Sequence, residues 1–223
     1  MPDFSYEQAT GANGLIFGFD EAGRGPWCGP VVAACVCWPN FNIPDALAKD
    51  INDSKKLSAI KREKLFPLIL ESGAIVGIGQ ASAAEIDKIN ILKASFLAMQ
   101  RAMEEVIRKG FTPTYALIDG NKLPDWNLPM RAVVGGDSKS LSIAAASIVA
   151  KVTRDHIMTD LARDYPAYGW DKNAGYGTKK HQEALAQYGV TPHHRRTYAP
   201  IAKLFQPSAS TLLTEEKAPM FSF

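Results

Sequence analysis

The sequence predicts an α/β fold, a mixed or parallel sheet carrying helices on its faces. Three observations predict it. Short apolar runs of strand length recur along the chain, and several end at an acidic residue. Two longer segments repeat their apolar residues every three or four positions or carry small residues on several faces, as helices do. Strand-like runs precede helix-like ones, the order that places helices over a sheet.

Taken in order, residues 1–13 are polar and are expected to form a flexible N-terminus. Leu15 to Phe19 is a short apolar run that ends at Asp20, and Pro30 to Trp38 is a second, dense in Val, Ala and Cys. Between them, Glu21 to Pro26 is rich in glycine, so the pair reads as two strands joined by a loop. Ala74 to Gly79 is a third strand. Leu92 to Arg108 is a helix: Leu92, Phe96, Met99, Met103 and Ile107 share one face, and Lys109-Gly110 closes it. Thr114 to Ile118 is a strand running into Asp119, and Met130 to Val134 is another running into Gly135-Gly136-Asp137. Ile143 to about Leu161 is a helix whose many alanines suit close packing on a sheet. Past Gln206 the chain turns to Ser, Thr, Glu, Lys and Pro and reads as a loose tail. There is no internal repeat.

With 223 residues, the chain is long enough for one sizeable core without staples. No run approaches the ~18 apolar residues of a membrane span, and the start of the chain, MPDFSYEQATGANG, has no basic-then-apolar leader. Lys plus Arg number 25 against 23 Asp plus Glu, so any basic face must be local. Cys28, Cys35 and Cys37 form no CxxC pair and have no histidine near them in the sequence. They read as buried free thiols of a cytoplasmic protein, without a zinc ligand set.

Four carboxylates stand out. Asp20, Glu21, Asp119 and Asp137 each follow a strand-like run, so acidic tips of separate strands can converge at one edge of a sheet. Crowded carboxylates need a cation, and paired hard divalent ions suit phosphoryl transfer. Solvated turn acids or helix caps would leave the same pattern, and the residues alone do not choose. Asp20 and Glu21 also pose a geometric problem, because neighbours in a regular strand point to opposite faces. Both reach one metal site only if the strand ends or bends at that step. Basic residues gather in two places. Residues 53–64 hold five cations against Asp53 and Glu63. Residues 171–203 hold six against Asp171 and Glu183, with Tyr176 and Tyr198 interleaved. Charge for phosphate with rings for sugar or base is what a nucleic-acid surface requires, though a solvated polar face looks similar.

Six segments in order resemble the ribonuclease HII family. They are Phe19 to Pro26 (FDEAGRGP), Asn52 to Ser58 (NDSKKLS), Leu117 to Asn121 (LIDGN), Gly136-Asp137-Ser138 followed by Ile143 to Asp155, Gly175 to Thr178 (GYGT), and His194 to Pro200 (HRRTYAP). The resemblance spans roughly residues 14–205. It implies a ribonuclease H-like fold: a mixed five-stranded sheet flanked by helices, with a helical C-terminal part from about residue 163. It implies an endonuclease that cuts 5′ to a ribonucleotide in RNA–DNA hybrids and at single ribonucleotides embedded in duplex DNA. The products would carry a 3′-hydroxyl and a 5′-phosphate, and catalysis would use two Mg²⁺ or Mn²⁺ ions. The family's metal-binding acids fall on Asp20, Glu21, Asp119 and Asp137, and its ribose-sensing elements on Gly23, Arg24, Gly25 and Tyr176. Trp27-Cys28 stands where smaller or aliphatic residues are expected, and Thr197-Tyr198 resembles a Ser-Phe pair.

Further contacts are expected from the same segments. Asn52, Lys55, Lys56, Ser147 and Lys151 are expected to grip the substrate backbone, Ser147 and Lys151 sharing a helical face. Lys179, Lys180, His181, Arg195 and Arg196 are expected on a C-terminal surface holding a strand, some of the arginines serving instead to brace the fold. The protein is expected to be a monomer, with Phe221 and Phe223 in the tail offering a docking point to a replication clamp. Two rival readings stay open: another metal nuclease on the same fold, and a hybrid binder without activity.

Overall fold

The structure is a computed structural model and describes residues 1–205. Strands β1 (Leu15–Ala22), β2 (Val31–Cys37), β3 (Ile75–Ala81), β4 (Pro113–Asp119) and β5 (Met130–Val133) form one sheet in the order β3-β2-β1-β4-β5. β3, β2 and β1 are antiparallel neighbours; β1, β4 and β5 run parallel. The sheet is therefore mixed, with its parallel half feeding the acidic tips to one edge. The helices are α1 (Ser5–Gln8), α2 (Asp45–Asp50), α3 (Ala59–Glu71), α4 (Ala83–Ile89), α5 (Ile91–Arg108), α6 (Leu141–Asp164), α7 (Trp170–Asn173), α8 (Lys179–Tyr188) and α9 (Ala199–Ala202). No helix among the described residues is long and apolar enough to cross a membrane.

Alternation along β1 sorts its side chains between two cores. Phe17 and Phe19 pack with Ala94, Ala98, Met99, Ala102 and Val106, the buried face of α5. That face recurs every three or four residues, as the sequence pattern requires. The opposite face of the sheet meets α6, whose residues from Leu141 to Ala150 are all buried between the sheet and α3. β2 is buried along all seven residues because helices cover it on both sides. Gly18 lets α6 approach: a Cβ there would lie 2.3 Å from the backbone nitrogen of Ile143. α6 starts two residues before the expected Ile143, because the Ser140 hydroxyl accepts from the Ile143 N–H and caps it.

Residues 1–13 depart from the expectation of a flexible N-terminus. Asp3 bridges to Ser140, and Glu7, at 1% exposure, takes the Ser140 hydroxyl at 2.6 Å and the Ser142 N–H at 3.0 Å on one carboxylate oxygen. The segment docks on the first turn of α6, where backbone N–H groups seek an acceptor and favour negative charge. The tail from 206 to 223, with Phe221 and Phe223, lies outside the described residues.

Candidate active site

β1 and β4 lie side by side and parallel, with Phe19 opposite Ile118, so Asp20 and Asp119 arrive at neighbouring strand ends. β5 pairs Val133 with Asp119 and then turns through Gly135 into the 3₁₀ turn Gly136–Ser138, which carries Asp137. The three aspartates each bring a carboxylate oxygen within 4.8 Å of the others. Two backbone contacts aim them: Asp20 accepts the Glu21 N–H at 2.7 Å, and Asp119 accepts the Gly136 N–H at 2.7 Å.

Glu21 stands apart from that trio. β1 continues to Ala22, paired with Val32, so the chain neither ends nor bends between Asp20 and Glu21. Glu21 is outside the 4.8 Å grouping of the aspartates and takes the Arg24 guanidinium at 3.0 Å, while its charge still acts on Asp20 and it feels that of Asp119. It lines the same cavity of about 390 Å³ as Asp20 and Asp119. Volume alone does not mark the site, since a hollow of about 500 Å³ beside Ile78, Arg101 and Arg108 gathers no acids of this kind.

Burial is the first cause that pushes the Asp20 carboxyl well above its ordinary range, and the charges of Glu21, Asp119 and Asp137 add to it. Asp137 is raised by burial and then by Asp119 and Asp53, with Lys55 opposing. Glu21 is raised by burial, against the pull of Arg24. Such a set of crowded oxygen donors, costly to ionise together, fits a hard divalent cation.

The opposite wall of the cavity is backbone. Gly23 has φ +97°, and a Cβ there would run into the Arg154 side chain, so only glycine fits. Gly25 faces the Tyr176 ring, whose nearest carbon is 3.5 Å from where its Cβ would be. Tyr176 is 50% exposed and Arg24 is also accessible, so both are open to a ligand.

The other expected contacts divide. The Lys55 ammonium lies 3.5 Å from Asp137 and is largely exposed, and Lys56 is exposed beside it. The Asn52 carboxamide accepts the Asp53 N–H and so shapes that turn. Lys151 lines the cavity and pairs with Asp155 at 2.7 Å. Lys179, Lys180 and Arg196 are exposed. Two expectations, for Ser147 and His181, are corrected, and Arg195 takes the bracing role allowed for the arginines. Ser147 is buried at 3% exposure, donating to the Ala144 carbonyl and accepting the Ser54 N–H, so it anchors the 52–56 turn and does not face a strand. Arg195 is fully buried and donates to the carbonyls of Gly23, Arg24, Gly29 and Pro30, so it braces the glycine loop. His181 is buried as well, with no surface to offer.

Sequence reasoning missed Arg154. It is 1% exposed and donates to the carbonyls of Pro30, Ala174 and Cys28, tying the glycine loop to the Tyr176 segment. It also missed the neighbours of Cys28. Cys35 and Cys37 are buried free thiols, as expected, but Cys28 has the ring nitrogens of His181 and His194 within 4.8 Å. Sequence distance concealed that trio, since the histidines lie more than 150 residues away.

Comparison with known proteins decides the family. The ribonuclease HII family model matches residues 17–201. The chain belongs to the ribonuclease HII family. The ribonuclease HII of Paramagnetospirillum magneticum is 53% identical over 203 residues, covering 91% of this chain and 98% of that relative. The crystal structure of ribonuclease H2 from Pyrococcus horikoshii is similar with a TM-score of 0.64 at 26% identity, over 85% of this chain and 96% of the other. RNase HII of Archaeoglobus fulgidus, solved as a complex with PCNA, gives 0.66 at 26% identity over 88% and 99%. The fold is thus ribonuclease H-like, a mixed five-stranded sheet flanked by helices, and the chain is a metal-dependent endoribonuclease of the ribonuclease H kind.

Proposed function

We propose that this enzyme cuts the phosphodiester 5′ to a ribonucleotide, in RNA–DNA hybrids and at single ribonucleotides within duplex DNA, leaving a 3′-hydroxyl and a 5′-phosphate. The observation that carries the reading is one cavity that joins Asp20, Glu21 and Asp119 to the Gly23–Gly25 backbone and Tyr176. Acids able to hold metal therefore sit beside groups able to read a sugar.

Asp20, Asp119 and Asp137, with Glu21 alongside, would hold two Mg²⁺ or Mn²⁺ ions, the oxygen-rich set favouring such hard cations. When bound, these ions would polarise the scissile phosphate and ease both the attack of water and departure of the 3′-oxygen. The chain's own groups position the substrate. Only the 2′-hydroxyl separates a ribonucleotide from its DNA neighbours. The backbone from Gly23 to Gly25 can approach it because no Cβ intervenes at either glycine, and the Tyr176 ring covers the adjoining sugar. A deoxyribose leaves those polar groups unpaired, which is how such a site rejects it. Lys55, Lys56, Lys151, Lys179, Lys180, Arg196 and Arg24 supply cations for the phosphates, with Asn52 beside them. The protein would act as a cytoplasmic monomer. Phe221 and Phe223 would engage a replication clamp, which a pull-down with and without residues 206–223 tests.

The decisive experiment compares an all-DNA duplex with one bearing a single ribonucleotide. Cleavage of the second alone, abolished by Asp119→Asn, is expected. Thermal unfolding of both proteins with and without Mg²⁺ accompanies it. The ion should raise the melting temperature of the natural protein and leave that of Asp119→Asn nearly unchanged. Equal cutting of both duplexes would point to a general metal nuclease and overturn the ribose reading.

A further inference from the structure

We propose that His181 and His194 form a buried hydrogen-bond relay that fixes the Tyr176 main chain against the Gly23–Gly25 loop and so sets the discrimination between isolated and continuous ribonucleotides. The proposal rests on the reading of Tyr176 as a sugar-facing residue.

Tyr176 is held by its backbone. Its N–H donates to the Asn173 carbonyl at 2.9 Å, and its own carbonyl accepts from Thr178 N–H at 2.8 Å and from the His181 ring at 2.9 Å. That last contact assigns a tautomer. A carbonyl only accepts, so His181 carries its proton on Nδ1 and offers a lone pair on Nε2. Two donors converge there: the Trp170 indole N–H at 3.3 Å and His194 Nε2 at 2.9 Å. His194 is assigned from its other side. The Thr191 N–H donates to its Nδ1 at 2.9 Å, which leaves the proton on Nε2, aimed at His181. Every ring nitrogen of the pair is satisfied with both rings neutral, the Thr191 hydroxyl lying 2.9 Å from His194 Nδ1 as a further partner. A second proton on His181 would set an N–H against two others. Burial pushes both rings down, His194 to about 4.

The relay links three loops of the cavity wall. His194 pairs its backbone with Cys28, Arg195 N–H donates to the Trp27 carbonyl, and Trp27 N–H donates to the Gly175 carbonyl. The Trp27 ring packs on His181 with centroids 5.8 Å apart. A shift of His181 therefore moves the Tyr176 carbonyl, and the ring that faces Gly25 moves with it.

Cys28, His181 and His194 also have the makeup of a soft-metal trio. The facing nitrogens of the two rings have no lone pair to spare, because His194 Nε2 holds a proton and His181 Nε2 accepts two donors. The geometry assigns protons to this pocket and not an ion.

The test uses the full chain. His194→Phe keeps a ring and removes the donor; His194→Gln can restore a donor to His181. Cleavage is measured on a single embedded ribonucleotide and on a continuous hybrid, separating kcat from KM, with Tyr176→Ala alone and combined with His194→Phe. His194→Phe should lose about tenfold more kcat on the single ribonucleotide than on the hybrid, a scale set by sub-ångström misplacement. His194→Gln should recover most of it, and the double variant should be little worse than Tyr176→Ala. If Tyr176→Ala is itself unselective, the sugar-facing reading fails. If Tyr176→Ala is selective but His194→Phe costs both substrates equally or His194→Gln gives no rescue, the relay fails while that reading stands. Nitrogen NMR of the natural protein's imidazoles gives a check that needs no variant. Protonated Nδ1 on His181 and protonated Nε2 on His194 support the relay, and the reverse overturns it. A thiolate-to-cobalt absorption band on adding Co²⁺, lost in Cys28→Ala, would equally overturn it.

Discussion

Arg195→Lys separates a brace from a nucleic-acid contact. The guanidinium is fully buried and makes six contacts to five acceptors: the carbonyls of Gly23, Arg24, Gly29 and Pro30 and the Tyr198 hydroxyl. It also lies over the Tyr198 ring, 5.1 Å from its centre. Lysine keeps the charge but is a single point on a flexible stem, so it can serve one or two of these carbonyls. The Pro30 carbonyl keeps Arg154 and the Arg24 carbonyl keeps the Tyr198 hydroxyl. The Gly23 and Gly29 carbonyls depend on residue 195 for a side-chain donor, and the fork that serves both at once is lost. Charge-assisted bonds of this kind are worth about 1.5–3 kcal/mol each and are not additive, so a net loss of about 3–5 kcal/mol is expected. At ~2–4 °C per kcal/mol for a domain of this size, the melting temperature should fall by roughly 10 °C. Thermal unfolding followed by circular dichroism measures it. Binding of a ribonucleotide-bearing duplex is then titrated against salt below the new melting point. A phosphate contact contributes about 0.9 to the slope of log K against log salt, and lysine would keep that charge, so the slope should not change on either reading and the melting temperature decides between them. An unchanged melting temperature would refute the brace.

Lys55→Ala should do the converse, weakening duplex binding and flattening the salt slope by about 1 with no loss of stability; an unchanged slope would remove Lys55 from the substrate contacts. Glu7→Ala strips the acceptor from the Ser140 hydroxyl and the Ser142 N–H and should cost about 1–3 kcal/mol in denaturant titration. A free, frayed N-terminus would lose nothing. Acid should expose His194. Unfolded, its ring titrates near 6.5; folded, it is held down to about 4 by burial first and then by His181, with His193 adding to the effect. Between those values the unfolded chain binds more protons, so this group's stabilisation is complete above 6.5 and is lost as pH falls towards 4. Stability of His194→Gln should therefore fall less steeply over that window than that of the natural protein, and parallel curves would contradict the neutral assignment.

The strands were legible because each is a local fact. Phe17 and Phe19 alternate with Gly18 and Asp20, and the period of two sorts them between α5 and α6 whatever lies far off in sequence. The conflict between Asp20 and Glu21 was legible for the same reason. Its outcome was not, because β1 reaches Ala22 through pairing with Val32 on a strand the local pattern does not contain. Glu7 shows the same limit. Read locally it is one more polar residue, yet its donors lie 133 and 135 positions ahead, at the start of a helix.

Arg195 and Arg196 show why site composition was easier to read than site roles. They are adjacent and of one type, and no local property separates them. Arg195 enters a cup of carbonyls from residues 23–30, and Arg196 lies over the Phe205 ring with its own N–H given to Asp87. The cup exists because the glycine loop cannot pair its carbonyls within a strand, and each buried carbonyl requires a donor. The loop open enough to let a sugar approach is thus also the loop in need of bracing. Arg154 and Arg195 supply that bracing from behind, while exposed Arg24 and Lys55 remain in front of it. A motif of cations around such a loop should therefore divide in two by burial. Only the exposed half should appear in the salt dependence of binding, and only the buried half in the melting temperature.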